Sequence, residues 1–234
     1  MMKLAIMQPY IFPYIGYFQM VNAVDKFVFY DDVNYINRGW INRNRILIQG
    51  VAKYLTIPLI KASQNKLINE IEIDIQSRDF NKIIKTIEMA YKRAPYFTEV
   101  FEIVHEVLEK EYGTIADMAM ESVKQCAGYL GLKTKFCKSS EHFSDTKGLE
   151  KAERLQAICK RLDADVYINA IGGQELYSKE DFAKQAIDLY FIKSLPMEYK
   201  QFKNKFVPWL SIIDVMMFNS KEEINEMLNK YELI

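Results

Sequence analysis

Histidine and cysteine are scarce in this chain, and the scarcity narrows its chemistry: two histidines and three cysteines stand among 234 residues. Cys126, Cys137 and Cys159 lie far apart with no C-x-x-C pair. They offer no disulfide framework and read as reduced, mostly buried thiols. Neither sign of charge is in excess, because 31 basic residues balance 31 acidic ones. No global positive field draws in nucleic acid or an anionic membrane, and only local basic patches are left to do so. No apolar run approaches a membrane span, and the first residues lack the charged, long-apolar and small-residue parts of a secretory signal. A Walker loop, H-E-x-x-H, G-x-S-x-G and G-x-G-x-x-G are all missing. So are internal repeats, low-complexity tracts and linker-like shifts in composition. The expectation is a cytoplasmic protein with no membrane partner, for which nucleic acid is the least favoured ligand.

Half of the residues are hydrophobic and 13% are aromatic, enough for a sizeable core. Leu4-Ala5-Ile6-Met7 predicts a buried strand over 3–7, followed by a loop and a helix over about 15–24. Further short strands are predicted at 26–31, 135–137, 166–168 and 189–192. Helices are predicted at 148–163, 178–186 and 221–230. Strand and helix in alternation imply an α/β fold with a Rossmann-like parallel sheet. Here that sheet is assembled from both ends of one domain, 1–234. The 45–130 region is inserted as a hairpin around Gly50, a strand at 71–75 and helices at 80–92, 96–112 and 114–131, with Pro95 and Gly113 as breakers. The loops 8–17, 31–44, 139–147, 169–177 and 194–206 would then open together on the carboxyl edge of the sheet, the usual ligand crevice.

The stretch from Gln8 to Arg45 concentrates chemistry that folding alone does not require. Pro9 and Pro13 fix backbone angles, and Gly16 permits close approach near a helix start whose free N–H groups suit a phosphate or carboxylate. Gln8, Tyr10, Tyr14, Gly16 and Tyr17 are therefore candidate substrate contacts. Tyr14 and Tyr17 stand where a nucleotidylyltransferase signature, His-x-Gly-His, would place histidines, and a neutral phenol does not replace an imidazolium. Asp31 and Asp32 follow a buried strand, where a carboxylate holds a ribose or magnesium, or takes a proton from an attacking amine; equally, such a pair caps a turn. Arg38, Arg43 and Arg45, with Trp40 and Asn42, suit diphosphate clamping and stacking on a base or sugar. His142, at a predicted strand end, is a candidate acid–base group, whereas His105 sits within a helix. Ser139, Ser140, Gly172 and Gly173 are candidate contacts through hydroxyls and backbone amides. Trp209 to Asp214 reads as packing with a capped or turned start, and Met216 and Met217 as core filler.

Taken in order, several pieces resemble the WbqC-like proteins. They are Gln8-Pro9, Phe12-Pro13, Gly16-Tyr17-Phe18, Asp25 with Phe29-Tyr30-Asp31-Asp32, and Trp40-x-Asn42-Arg43-Asn44-Arg45. Leu55-Thr56-Ile57-Pro58, Ala94-Pro95-Tyr96-Phe97, Ser139-Ser140, Phe206-Val207-Pro208 and Leu210-Ser211-Ile212-Ile213-Asp214 continue the likeness across nearly the whole chain. Arg78-Asp79-Phe80-Asn81 departs from it. The resemblance implies bacterial surface-polysaccharide biosynthesis, O-antigen in particular. Joined to the residues above, it leads to an enzyme that transfers an acyl or aminoacyl group to the amine of a nucleotide-linked amino sugar. ATP with magnesium, or an acyl carrier, would be the co-substrate. Nucleotidyl or adenylyl transfer with ATP and magnesium is the alternative enzyme, and a noncatalytic sugar-nucleotide binding partner the alternative without chemistry.

Overall fold

The computed structural model describes residues 1–203 and 205–234; residue 204, within the expected 194–206 loop, lies outside the described residues. Eight strands are described: β1 (Lys3–Met7), β2 (Lys26–Phe29), β3 (Arg43–Ile48), β4 (Val51–Thr56), β5 (Lys135–Lys138), β6 (Val166–Ala170), β7 (Asp188–Ser194) and β8 (Tyr231–Leu233). The α-helices are α1 (Ile15–Asn22), α2 (Phe80–Tyr91), α3 (Phe97–Glu109), α4 (Ile115–Tyr129), α5 (Ser139–His142), α6 (Lys151–Arg161), α7 (Lys179–Ala183), α8 (Ile212–Phe218) and α9 (Lys221–Leu228).

Six strands form one sheet in the order β5-β2-β1-β6-β7-β8, parallel except for β8. Counted along the sheet alone, this is the 3-2-1-4-5-6 order of dinucleotide folds. β1 is central and buried on both faces, which is why Leu4, Ala5 and Ile6 are apolar without alternation. On one face Ala5, Phe27, Phe29 and Ile168 pack against α1, α4, α8 and the hairpin. On the other, Leu4, Ile6, Val28 and Tyr167 pack on Leu155 and Ile158 of α6 and Phe182 of α7. The segment between β2 and β5 shares the first core: Ile46, Ile87, Val104 and Met118 belong to the same cluster as Ala5 and Phe27. Each such large apolar side chain contributes about 1.5–3 kcal/mol when fully buried.

The chain leaves β1 for β2 on one side and returns through β5 to β6 on the other, so the order reverses between β1 and β6. Their ladder covers only Lys3–Val166 and Leu4–Tyr167. By contrast β1–β2 runs to Met7–Phe29 and β6–β7 to Ala170–Ile192. The central strands thus part toward their carboxyl ends, where α/β sheets bind ligands.

The expected hairpin around Gly50 forms, and other local expectations need correction. The hairpin strands flank Gln49 (φ 52°) and Gly50 (φ 78°), two left-handed residues as in a type I′ turn. Residues 71–75 form no strand, only an isolated bridge between Leu59 and Ile73, and on the Asp74 side Pro58 has no N–H with which to extend a ladder. The capped start expected in 209–214 is Ser211, which caps the buried helix α8; beyond the expectations, α5 occupies the start of the 139–147 loop and β8 adds an antiparallel edge.

Candidate functional site

The loop after β1 is held by parts of the chain distant in sequence. Phe12 takes a left-handed φ of 39°, costly for an aromatic residue unless its surroundings impose it. Here its N–H donates to Ser122 Oγ (3.0 Å), and its carbonyl accepts from Asn44 Nδ2 (2.8 Å) and Ser211 Oγ (2.7 Å). The Ile11 N–H donates to the Ile41 carbonyl (3.0 Å), and the Ile212 N–H, opening α8, to the Pro13 carbonyl (2.8 Å). Tyr17 O–H donates to the Gln8 carbonyl (2.9 Å), fixing the strand exit.

This rigid loop forms one wall of a cleft of ≈ 300 Å³ lined by Tyr10, Pro13, Tyr14, Trp40, Asn44, Arg45 and Trp209. Tyr14 meets Trp209 edge-on at 5.9 Å. Gly16 is what lets the Tyr14 ring lie there, since a Cβ on residue 16 would fall 2.3 Å from Tyr14 Cε2. Gly16 is buried and acts through Tyr14. Arg45 Nη2 donates to the Trp209 carbonyl (2.9 Å), while Arg45 Nε is buried with no hydrogen-bond partner among the described residues. A buried N–H without an acceptor is unfavourable by about 1–3 kcal/mol, so the site favours an acceptor oxygen there. Burial, with Tyr14 nearby, pushes the Tyr10 phenol up to about 12, and burial raises Tyr14 as well. Both are neutral donors at physiological pH. The cleft is therefore aromatic walls around one guanidinium cation, suited to a ring that carries acceptor oxygens.

The other predicted residues group differently. Arg43 does not join Arg45 in one clamp: its Nε donates to the Gly39 carbonyl (3.0 Å), its Nη2 donates to the Arg38 carbonyl, and its Cζ lies 4.5 Å from the Tyr54 ring centre. Arg38 is exposed with φ 57°. Asn42 is buried, accepting from Tyr35 O–H and donating to the Ile57 carbonyl (both 2.8 Å).

Asp31 and Asp32, only 1% and 3% exposed, form a network at the carboxyl ends of β2 and β5. Asp31 accepts from the Ser140 N–H (3.0 Å), Ser140 Oγ (2.6 Å) and Asn69 Nδ2 (3.4 Å). The Ser139 hydroxyl is shared between the two carboxylates. Asp32 pairs with buried Arg154 (2.7 Å) and with Lys147 (3.6 Å), and Arg154 lies over the Tyr30 ring. Ser139 and Ser140 thus meet the aspartates directly. His142 is exposed at the end of α5 beside Phe143, and His105 pairs with Glu109 on the surface of α3. Gly173 is buried where a Cβ would meet Asn169 Nδ2 at 2.7 Å, whereas Gly172 is exposed and open.

Sequence reasoning passed over Pro13, Asn44 and Trp209 as cleft residues, and Lys147 and Arg154 as partners of Asp32. A tryptophan directly after Pro208 was the available signal for Trp209. Among the described residues, no helix is long and apolar enough to cross a membrane.

The fold and the site together define a Rossmann-like α/β protein with an aromatic cleft beyond its central strand. The chain belongs to the WbqC-like protein family, whose model matches residues 8–226. It is 29% identical over 233 residues to the uncharacterized protein Rv1507c of Mycobacterium tuberculosis, covering 97% of this chain and 98% of that protein. No solved structure matches it.

Proposed function

We propose that this protein is a transferase of bacterial O-antigen or surface-polysaccharide biosynthesis. It holds a nucleotide-linked amino sugar while an acyl or aminoacyl group is joined to the sugar amine. The observation that carries the reading is Arg45, a guanidinium with an unpaired buried N–H in an aromatic cleft at the carboxyl edge of the central strand. Aromatic walls take the faces of a sugar ring, and the cation takes its anionic or hydroxyl oxygens.

In the transfer, the amine nitrogen attacks the acyl carbon, the bond to the leaving group breaks, and the departing thiolate or phosphate takes up the proton released from nitrogen. Such a step is accelerated mainly by positioning. Asp31 and Asp32 then act as positioning residues that fix the loops beyond β2 and β5. The donor is an acyl carrier or an ATP-activated acid, and the compartment is the cytoplasm, where sugar nucleotides are made.

A second reading, a noncatalytic sugar-nucleotide binding partner, is favoured by one observation: among the described residues, the cleft lining contains no carboxylate or histidine to serve as a base.

The test is a thermal-shift series with UDP- and dTDP-linked amino sugars. At a ligand concentration of 100 times Kd the native state gains about 2.7 kcal/mol, or roughly 5–10 °C for a chain of this size. Arg45→Ala should lose most of that shift. The absence of stabilisation by any nucleotide amino sugar refutes the proposal, and binding without turnover when acyl donors are supplied selects the second reading.

A further inference from the structure

A cleft of ≈ 300 Å³ stands at the lower bound of ligand pockets, which span about 300–1,000 Å³. It has room for one ring and its substituents, not for a nucleotide-linked sugar in full. The remainder of such a ligand must lie on the adjoining surface.

That surface is the outer face of the β3–β4 hairpin. Tyr54 is 56% exposed there and Trp40 39%, large rings left in water beside the cleft. The register sets Tyr54 directly across from Arg45, with Arg43 on the same face one step along β3, about 7 Å away at ordinary strand rise. Trp40 lies 6.2 Å from Tyr54, and the Arg45 guanidinium lies 5.9 Å from the Trp40 ring. Trp40 therefore serves two neighbours, as a wall of the cleft and as the edge of an aromatic platform. The hydrogen bonds that Arg43 donates to the Gly39 and Arg38 carbonyls hold its guanidinium 4.5 Å from the Tyr54 ring centre, so the positive charge is preset rather than ordered on binding.

We infer that Tyr54 is a second stacking subsite, taking the base of the nucleotide-linked amino sugar whose sugar ring occupies the cleft. The inference rests on the sugar-nucleotide reading above. The diphosphate crosses the face between them over Arg45, while Arg43, held by the turn carbonyls, backs the Tyr54 ring and Trp40 packs at the junction. Charge complementarity and continuity with the cleft support this occupant. A guanidinium-backed phenol ring stacks on any base, since each has a π-face, so this end of the ligand contributes affinity more than base identity.

Both tryptophans of the chain, Trp40 and Trp209, border the cleft, so intrinsic fluorescence reports on occupancy. The probes are UDP- and dTDP-linked glucosamine, the anomeric phosphate of glucosamine, and UMP with dTMP. Tyr54→Ala should weaken the nucleotide sugars and the free nucleotides about tenfold or more, the scale of one stacked base. It should leave the sugar phosphate unchanged, and Tyr54→Phe should bind like the parent. Two results overturn the subsite while leaving the cleft reading intact. One is unchanged nucleotide-sugar binding in Tyr54→Ala while Tyr14→Ala loses it. The other is equal weakening of the sugar phosphate together with a lowered melting temperature. Failure of the parent protein to bind any probe overturns both.

Discussion

Replacing Gly16 with alanine would drive a methyl carbon into the Tyr14 ring and so separate cleft geometry from global stability. The new Cβ would stand 2.3 Å from Tyr14 Cε2 and 2.6 Å from Cζ and the hydroxyl oxygen. Carbon atoms in contact sit about 3.5–4.0 Å apart, so the ring must retreat by roughly 1 Å or more. Opposing effects act on stability. Alanine for glycine within a helix contributes about 0.5–1 kcal/mol, and Gly16 has no left-handed φ to forbid it. Forcing Tyr14 off its rotamer costs about 0.5–1.5 kcal/mol. The net change is within about 1 kcal/mol, or a melting-temperature shift of no more than about 2–4 °C. Ligand affinity has no such compensation, because Tyr14 lines the cleft and meets Trp209 across it. A lost or misplaced aromatic contact is worth about 1–3 kcal/mol, so Kd should rise roughly 5- to 150-fold. The assay is a fluorescence titration with a nucleotide amino sugar, run beside a melting curve. Parent-like affinity in Gly16→Ala would refute the assignment of Tyr14 as a cleft wall, and a collapse of the melting temperature would refute the packing argument.

Two further outcomes follow from buried carboxylates. Asp214 is fully buried, accepting from Tyr91 O–H (2.8 Å), Tyr199 O–H (2.7 Å) and Gln201 Nε2 (2.7 Å). Burial outweighs these donors and pushes its carboxyl from 3.8 up to about 6. The folded state therefore binds more protons than the unfolded one between those values, so this residue's contribution falls as pH rises through that window and is flat above it. The total change is on the order of 3 kcal/mol. The stability difference between the parent and Asp214→Asn should shrink across that window in denaturant titrations, and a pH-independent difference would contradict it. Asp32→Ala should cost about 3–5 kcal/mol, because it leaves the Arg154 guanidinium buried without its partner. Chemical denaturation measures this, and a loss below 1 kcal/mol would mean that the Asp32–Arg154 pair does not hold the loops together.

Sheet membership was readable because most parallel strands are short apolar runs between turn residues, as Leu4–Met7 and Val166–Ile168 illustrate. Strand order was not, since it depends on contacts across more than a hundred residues, such as β1 with β6. The same limit governs the site. Arg43 and Arg45 look equivalent in sequence, yet a left-handed residue 38 and the carbonyls of the turn capture Arg43, while Arg45 reaches Trp209. Asp31 and Asp32 stood out as a pair beyond a strand, but only the fold supplies Arg154, Lys147 and the serines that engage them. Gly16 was singled out for approach to a ligand; its neighbour is Tyr14.

The ties that converge on Phe12 also set the order in which the protein can mature on the ribosome. Its partners Asn44, Ser122 and Ser211 come from three separate parts of the chain. Ser211 and Trp209 are synthesised about two hundred residues after the loop they complete, so an emerging chain can pair β1 with β2 long before any cleft exists. Contacts of such sequence separation form late and slowly. Until residues 209–211 have emerged, the cleft lacks its Trp209 wall and the Phe12 carbonyl lacks the Ser211 hydroxyl.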